Sequence, residues 1–386
     1  MDRTNEALSE GANSYPPGVR QIVNHINHNE RFIMNDTTTI AWLGLDAHSK
    51  NCVLGHLDDH GAEIKSWGFA TKPEQLVQHV KAIPATDKRL MLEESNLARW
   101  IGHLLKPHVQ QLVVCDARRN RLISHDHHKH DKRDAFALAR LLRLNEFKPV
   151  WQPAEDQRVL FKRIAKSYEN AVQRQTRLKL QIKSLFQHWG LFPAGATVFS
   201  RPGRVAWLKQ LPFDPLRAQA SLLYELLDQA LAGQAQFRRL MCQTGRQFPE
   251  IQRLSTTPGV GLVGSHLFVA YIQDPKRFGK FSRLSRYCRL GIRDRTSDDK
   301  PLGYQQLDRQ GIGTLKAISY RAYLQAAKRR TGPVWDFHQL SLRHTGSTTH
   351  ARLNTQRKIL LTLWTLWLTG REFDPKEFFR SQPIDV

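Results

Sequence analysis

Ile40-Ala-Trp-Leu-Gly-Leu-Asp46 is a short apolar run that ends in an acid, and the segments around it decide the fold. Asn51-Cys-Val-Leu-Gly-His-Leu57 follows, then Asp58-Asp-His-Gly61 as a turn, then Glu63-Ile-Lys-Ser-Trp-Gly-Phe69 with polar and apolar residues alternating. Runs of this length, separated by turn residues, predict a three-stranded antiparallel meander. A helix is expected over Lys72 to Ala82, with Thr71 as its N-cap and Pro73 in its first turn. Arg89-Leu-Met-Leu-Glu-Glu94 reads as a strand ending in acids. Leu97 to Leu105 has helical spacing, and Gln111-Leu-Val-Val-Cys115 reads as a short buried strand.

The resulting order, β-β-β-α-β-α-β and then a helix, is that of an RNase H-like α/β domain, placed at 38–152. Before it, residues 1–37 are polar, sustain no period and read as a mobile extension. After it, residues 155–189 contain neither Pro nor Gly. Val159, Ile164, Tyr168, Val172, Leu178, Ile182 and Leu185 give an approximate three-to-four spacing, with Lys and Arg filling much of the rest. That pattern fits a coiled-coil arm, and equally a helical linker packed on its own domain. Gly190 to Pro215 is more loosely organised and precedes a helix over Leu216 to Cys242, giving a helical region at 153–250. A mainly helical domain is expected at 251–372, broken by a basic loop between Arg289 and Gln310. A polar surface tail at 373–386 follows.

Lys and Arg number 58 against 35 Asp and Glu, a net charge of +23. Such an excess repels itself unless a polyanion is at hand, which points to nucleic acid. The four cysteines have no CxxC spacing, so neither a zinc site nor a disulfide framework is expected. No apolar stretch is long enough to span a bilayer and none reads as a signal core, so no membrane partner and a cytoplasmic, nucleoid-associated location are expected.

Within this basic chain the acids need a reason. Asp46 ends one strand and the Glu93/Glu94 pair ends another, so adjacent strands would bring their carboxylates to one edge. Asp131 and Asp134, three apart near a helix start, share a face. Each alone fits a turn, a cap or a helix dipole. Their order together fits oxygen ligands for two Mg2+, or Mn2+, that stabilise the attacking and leaving oxygens of phosphodiester transfer. The strand pattern does not separate Glu93 from Glu94. His125, His127, His128 and His130 precede Asp131 without a zinc-site spacing and fit a loop beside nucleic acid.

Gly44-Leu-Asp46-Ala-His-Ser-Lys50, Glu93-Glu-Ser-Asn96 and Lys129-His-Asp-Lys-Arg-Asp-Ala135 resemble the three acidic motifs of the DEDD insertion-sequence transposases, also called bridge-RNA-guided recombinases. Asn96 replaces a glycine of that pattern and His130 a threonine. The resemblance runs in order from about residue 40 to 370 and implies a RuvC-like N-terminal domain, with Glu93 rather than Glu94 as the ligand. Pro258-Gly-Val-Gly261 resembles the start of the family's C-terminal transposase domain. From the residues alone it fits a phosphate-gripping turn and a tight helix connection equally. Tyr287-Cys-Arg-Leu-Gly291, Thr296-Ser297-Asp298 and Gly311-Ile-Gly-Thr-Leu-Lys316 follow the family's order around a nucleophilic serine, which makes Ser297 the candidate, although glycine does not follow it. Arg293, Arg295, Lys300 and Arg309 surround it, and Arg118, Arg119 and Arg121 follow the 111–115 strand; all suit phosphate contacts. The family resemblance further implies DNA as substrate, a structured guide RNA and assembly as a homodimer or dimer of dimers. It also implies an active site completed between subunits. A RuvC-like nuclease or resolvase using only the acids, and a non-catalytic nucleic-acid-binding derivative, remain as alternatives.

Overall fold

The computed structural model describes residues 39–116, 131–297 and 300–380, with 294–297, 300–305 and 380 described by backbone alone. The N-terminal extension, the arginines 118, 119 and 121, the histidines 125–130 and the last six residues of the tail lie outside the described residues. The chain divides into two compact units, 1–152 and 153–386.

In the first unit β1 (Ile40–Ala47), β2 (Asn51–Leu57) and β3 (Glu63–Ala70) form the expected antiparallel meander. β4 (Asp87–Glu93) runs parallel to β1, and β5 (Gln111–Cys115) parallel to β4, giving the order β3-β2-β1-β4-β5. This mixed sheet is the RNase H-like arrangement. Side chains alternate between its faces. Leu43, Leu45, Leu90 and Leu92 pack towards α1 (Pro73–Lys81) and α2 (Ala98–Leu105). Trp42, Met91 and Cys115 pack on the other face against Phe136, Leu138, Ala139 and Leu142 of α3 (Asp131–Leu144). Each such buried leucine contributes about 1.5–3 kcal/mol relative to exposure.

α3 approaches the sheet closely because Gly44 has no side chain. A Cβ at Gly44 would lie 1.9 Å from the carbonyl oxygen of Ala135 and 2.7 Å from the nitrogen of Ala139. The first helix departs from the sequence reading: Lys72, not Thr71, is the N-cap of α1, and it makes no side-chain cap bond. The Thr71 hydroxyl instead donates to the backbone oxygen of His48 at 2.7 Å, and the Thr71 N–H donates to Lys50 O at 2.9 Å. Thr71 therefore braces the β1–β2 turn.

In the second unit α4 (Asp156–His188) and α6 (Asp214–Gly245) lie side by side and antiparallel. Ile182 and Phe186 of α4 share one cluster with Ala220, Tyr224 and Leu227 of α6, while Phe161 and Ala165 share another with Met241. Between them, the stretch expected to be loose contains α5 (Arg201–Leu208), capped by the Ser200 hydroxyl accepting from Gly203 N–H. α7 (Glu250–Ser255), α8 (Gly261–Ile272), α9 (Phe281–Tyr287), α10 (Gly313–Arg329), α11 (Pro333–Thr345) and α12 (Thr348–Thr369) build the C-terminal core. Trp364 is fully buried there, with its indole N–H donating to Pro275 O at 2.8 Å, so it is core. In the Pro258–Gly261 turn, a Cβ at Gly259 would sit 2.7 Å from Ala322 Cα, which marks that glycine as a packing contact with α10.

Two further expectations are corrected. The basic segment between Arg289 and Gln310 is not a loop: β6 (Ile292–Ser297) and β7 (Lys300–Leu307) pair as an antiparallel hairpin. The polar tail contains α13 (Pro375–Arg380), and Phe378 is 1% exposed within the C-terminal core, because an apolar side chain there completes the packing around Phe337 and Phe373.

Candidate active site

Asp46 lies next to last in β1, opposite Val53 of β2, on the face covered by α3. Its side chain is 14% exposed, and its Oδ2 lies 3.3 Å from Nε2 of the exposed His48. Because Gly44 seats α3 so near the sheet, the acids in the first turn of that helix arrive at the same edge. One ligand atom each from Asp46, His48 and Asp131 lie within 4.8 Å of one another. Burial pushes the Asp46 carboxyl above its ordinary value, the His48 ring opposes that push, and the charges of Asp134 and Asp131 add to it. The two α3 acids therefore act on Asp46 at close range. A partly buried cluster of like charges favours a cation over protonated acids.

β4 supplies the next acid, and the sheet separates the two candidates. Glu93 is paired in register with Cys115, which belongs to the α3 face, and follows Met91 of that same face by two residues. Two residues apart in a strand means the same side. Glu93 thus lies on the face that carries Asp46, one register step beyond the Leu45–Leu92 pair. Glu94 falls outside the strand, is exposed, and donates its N–H to Cys115 O.

His48 escaped the sequence reading as a site residue. Its signal was present: it lies two residues after Asp46 within the motif quoted above, and a ligand-bearing strand end commonly extends its face by two. The Thr71 hydroxyl on its backbone oxygen holds this turn in place. Carboxylate oxygens with one imidazole suit magnesium or manganese, and the donor set contains no thiolate that would favour zinc in a closed structural site.

Ser297 belongs to the second unit. It ends β6, with its backbone opposite Lys300 across the hairpin. Arg295 precedes it on the same strand, Arg293 is exposed opposite Gln306, and Arg309 is exposed just beyond β7.

Comparison with known proteins decides the family. The DEDD transposase profile of the IS110 group matches residues 43–190, spanning all four acids, and the profile of the Transposase IS116/IS110/IS902 family matches residues 251–339. The chain belongs to the IS110 family of DEDD transposases. It is also 23% identical over 300 residues to the Sinorhizobium fredii protein named "Putative transposase y4qE", an alignment covering 75% of this chain and 74% of that protein. Family membership makes this a nucleic-acid cutting and joining enzyme that acts on DNA, and suggests use of a divalent metal. No helix among the described residues is long and apolar enough to cross a membrane.

Proposed function

We propose that this IS110-family transposase cuts and rejoins DNA through an acidic centre of Asp46, Glu93, Asp131 and Asp134, with Ser297 as the nucleophile. The observation that carries the reading is the meeting of Asp46, His48 and Asp131 at one sheet edge, with Asp134 beside them. The donor set fits Mg2+, with Mn2+ as a substitute, held by the four carboxylates; His48 is a further candidate ligand or a hydrogen-bond partner that orients Asp46. A bound divalent cation neutralises the cluster and stabilises charge on the phosphate oxygens.

Asp46 and Glu93 are fixed by the sheet and Asp131 and Asp134 by a helix seated on glycine, so the centre is preorganised on rigid elements. Ser297 Oγ loses its proton as it bonds to phosphorus, the bond from phosphorus to the departing sugar oxygen breaks, and that oxygen takes up a proton. The DNA end stays attached to the serine until a free sugar hydroxyl attacks the same phosphorus and releases it. Arg293, Arg295, Lys300 and Arg309, with Arg118, Arg119 and Arg121 of the first unit, are assigned to phosphate contacts. The reading includes the domain limits given above, a coiled-coil arm formed by the long helices and assembly as a dimer or dimer of dimers. It also includes selection of DNA by a structured guide RNA.

The test is a mobility assay in cells carrying the gene within its flanking DNA. Asp46→Ala and Ser297→Ala are each expected to lower recombination by about 1,000-fold or more. Recombination that survives Ser297→Ala while Asp46→Ala abolishes it would replace the serine mechanism with the acid-only nuclease. Sequencing nucleic acid that copurifies with the chain tests the guide: one structured RNA is expected, and random fragments contradict it.

A further inference from the structure

The second unit contains a cleft of about 860 Å³ between the base of the β6–β7 hairpin, α10 and α12. Arg289, Arg309, Lys316 and Arg352 line it. Among its described lining residues Asp308 is the one carboxylate, and that group is already engaged: Oδ1 accepts from Gln310 N–H at 2.9 Å, and Oδ2 lies 3.6 Å from Arg286. Among the described residues, the four cations therefore face the cleft without matching anions. Burial pulls the Lys316 ammonium below its ordinary value, and the charges of Arg352, Arg289 and Arg357 pull it further, which reports how closely they crowd.

The backbone is shaped to hold this arrangement. Arg289 adopts φ 58°, in the left-handed region that non-glycine residues rarely occupy. Its guanidinium is tied down by donating from Nε to Gly311 O at 2.8 Å, and a Cβ at Gly313 would crowd it at 3.2 Å. Two side-chain polar atoms beside the cleft have no hydrogen-bond partner among the described residues. Gln356 is 1% exposed with its amide oxygen unsatisfied, and Nε of Arg352 is buried and equally unsatisfied. Finally, Tyr320 is 38% exposed beside the cleft, its ring loosely stacked with that of Tyr323 at 6.3 Å between centroids and the Arg352 guanidinium 5.8 Å from its centroid, so a base can extend this short stack.

We propose that this cleft binds the phosphodiester backbone of a single nucleic-acid strand, with an unpaired base stacked on Tyr320. Converging cations account for the phosphates. An exposed ring offers a face that a base uses only when it has left a duplex, and sequence-tolerant stacking beside a cationic groove is how single strands are held. The cleft is a binding site distinct from the acidic centre, and it rests on the proposed function only in taking nucleic acid as the substrate.

The test is fluorescence anisotropy of the full-length chain in EDTA. The probes are a labelled single-stranded DNA and RNA of the same mixed sequence, and the corresponding DNA duplex. Lys316→Gln and Arg352→Gln are expected to weaken single-strand binding about 5- to 20-fold and to flatten its salt dependence by about 0.7 per lost contact. Tyr320→Leu is expected to weaken it about 5- to 10-fold with the salt slope unchanged. Lys328→Gln, the same charge loss on the exposed end of α10, is expected to change it less than about twofold. The strand type that shows these losses is the ligand. Losses no larger than with Lys328→Gln on both single strands, or equal losses on the duplex, would overturn the proposal. An inactive Asp46→Asn with unaffected cleft variants would leave the acidic centre standing and remove the cleft alone.

Discussion

The sheet edge of the first unit and the cleft of the second unit show opposite ways of concentrating charge. At the edge, burial, with the nearby charges of Asp134 and Asp131 adding to it, makes the carboxyl of Asp46 harder to ionise, and strands and a helix hold these acids there. In the cleft, burial, with the charges of Arg352 and Arg289 adding to it, makes the Lys316 ammonium harder to keep. Each cluster destabilises the empty protein, and each is relieved by a ligand of the opposite sign. The positions differ in how they are fixed. The acids depend on one close backbone approach, at Gly44, whereas the cations depend on a strained arginine and long side chains.

Gly44→Ala attacks that difference most strongly. A methyl group 1.9 Å from Ala135 O has nowhere to go, so α3 must lift from the sheet. A loss of about 3 kcal/mol is expected in denaturant unfolding of the first unit, with recombination lost as well, because Asp131 and Asp134 move with the helix. A stable, active Gly44→Ala protein would show that the acids are not placed by this contact.

Much of the sheet was legible because its strands carry strong period-two or buried patterns bounded by turn residues. The β6–β7 hairpin was not, since Ile292-Arg-Asp-Arg-Thr-Ser297 has no apolar face and looks like a charged loop. Thr71 looked like a cap because threonine before Lys-Pro usually is one; its long-range bond to His48 O has no local signature. Asp46, Asp131 and Asp134 were legible as acids at element ends. Between Glu93 and Glu94 only the family resemblance chose, because the strand pattern does not say which sheet face α3 covers.

Glu93→Gln and Glu94→Gln sharpen the same point. The first is expected to lower strand cleavage about 100-fold, and the second by less than about threefold, in a metal-dependent cleavage assay. Equal losses would remove the face argument.

The smallest expected effect is on stability. A carboxyl with a raised folded pKa binds more protons in the folded state than in the unfolded one, so stability falls as pH rises through the range between the two values. Above that range the penalty at Asp46 is complete, and below the ordinary carboxylate range it is absent. Asp46→Asn is therefore expected to raise the Tm of the metal-free chain slightly at pH 7, with the gain disappearing on acidification. A variant less stable than the wild type at pH 7 would contradict the crowding.

The central claim is that the acids at the sheet edge hold a divalent cation. Its most direct test is Mn2+ binding to the full-length chain, followed by electron paramagnetic resonance, in the wild type and in Asp46→Asn. The wild type is expected to bind Mn2+, with affinity at least about tenfold weaker in Asp46→Asn. Indistinguishable Mn2+ binding by the two proteins would contradict the account.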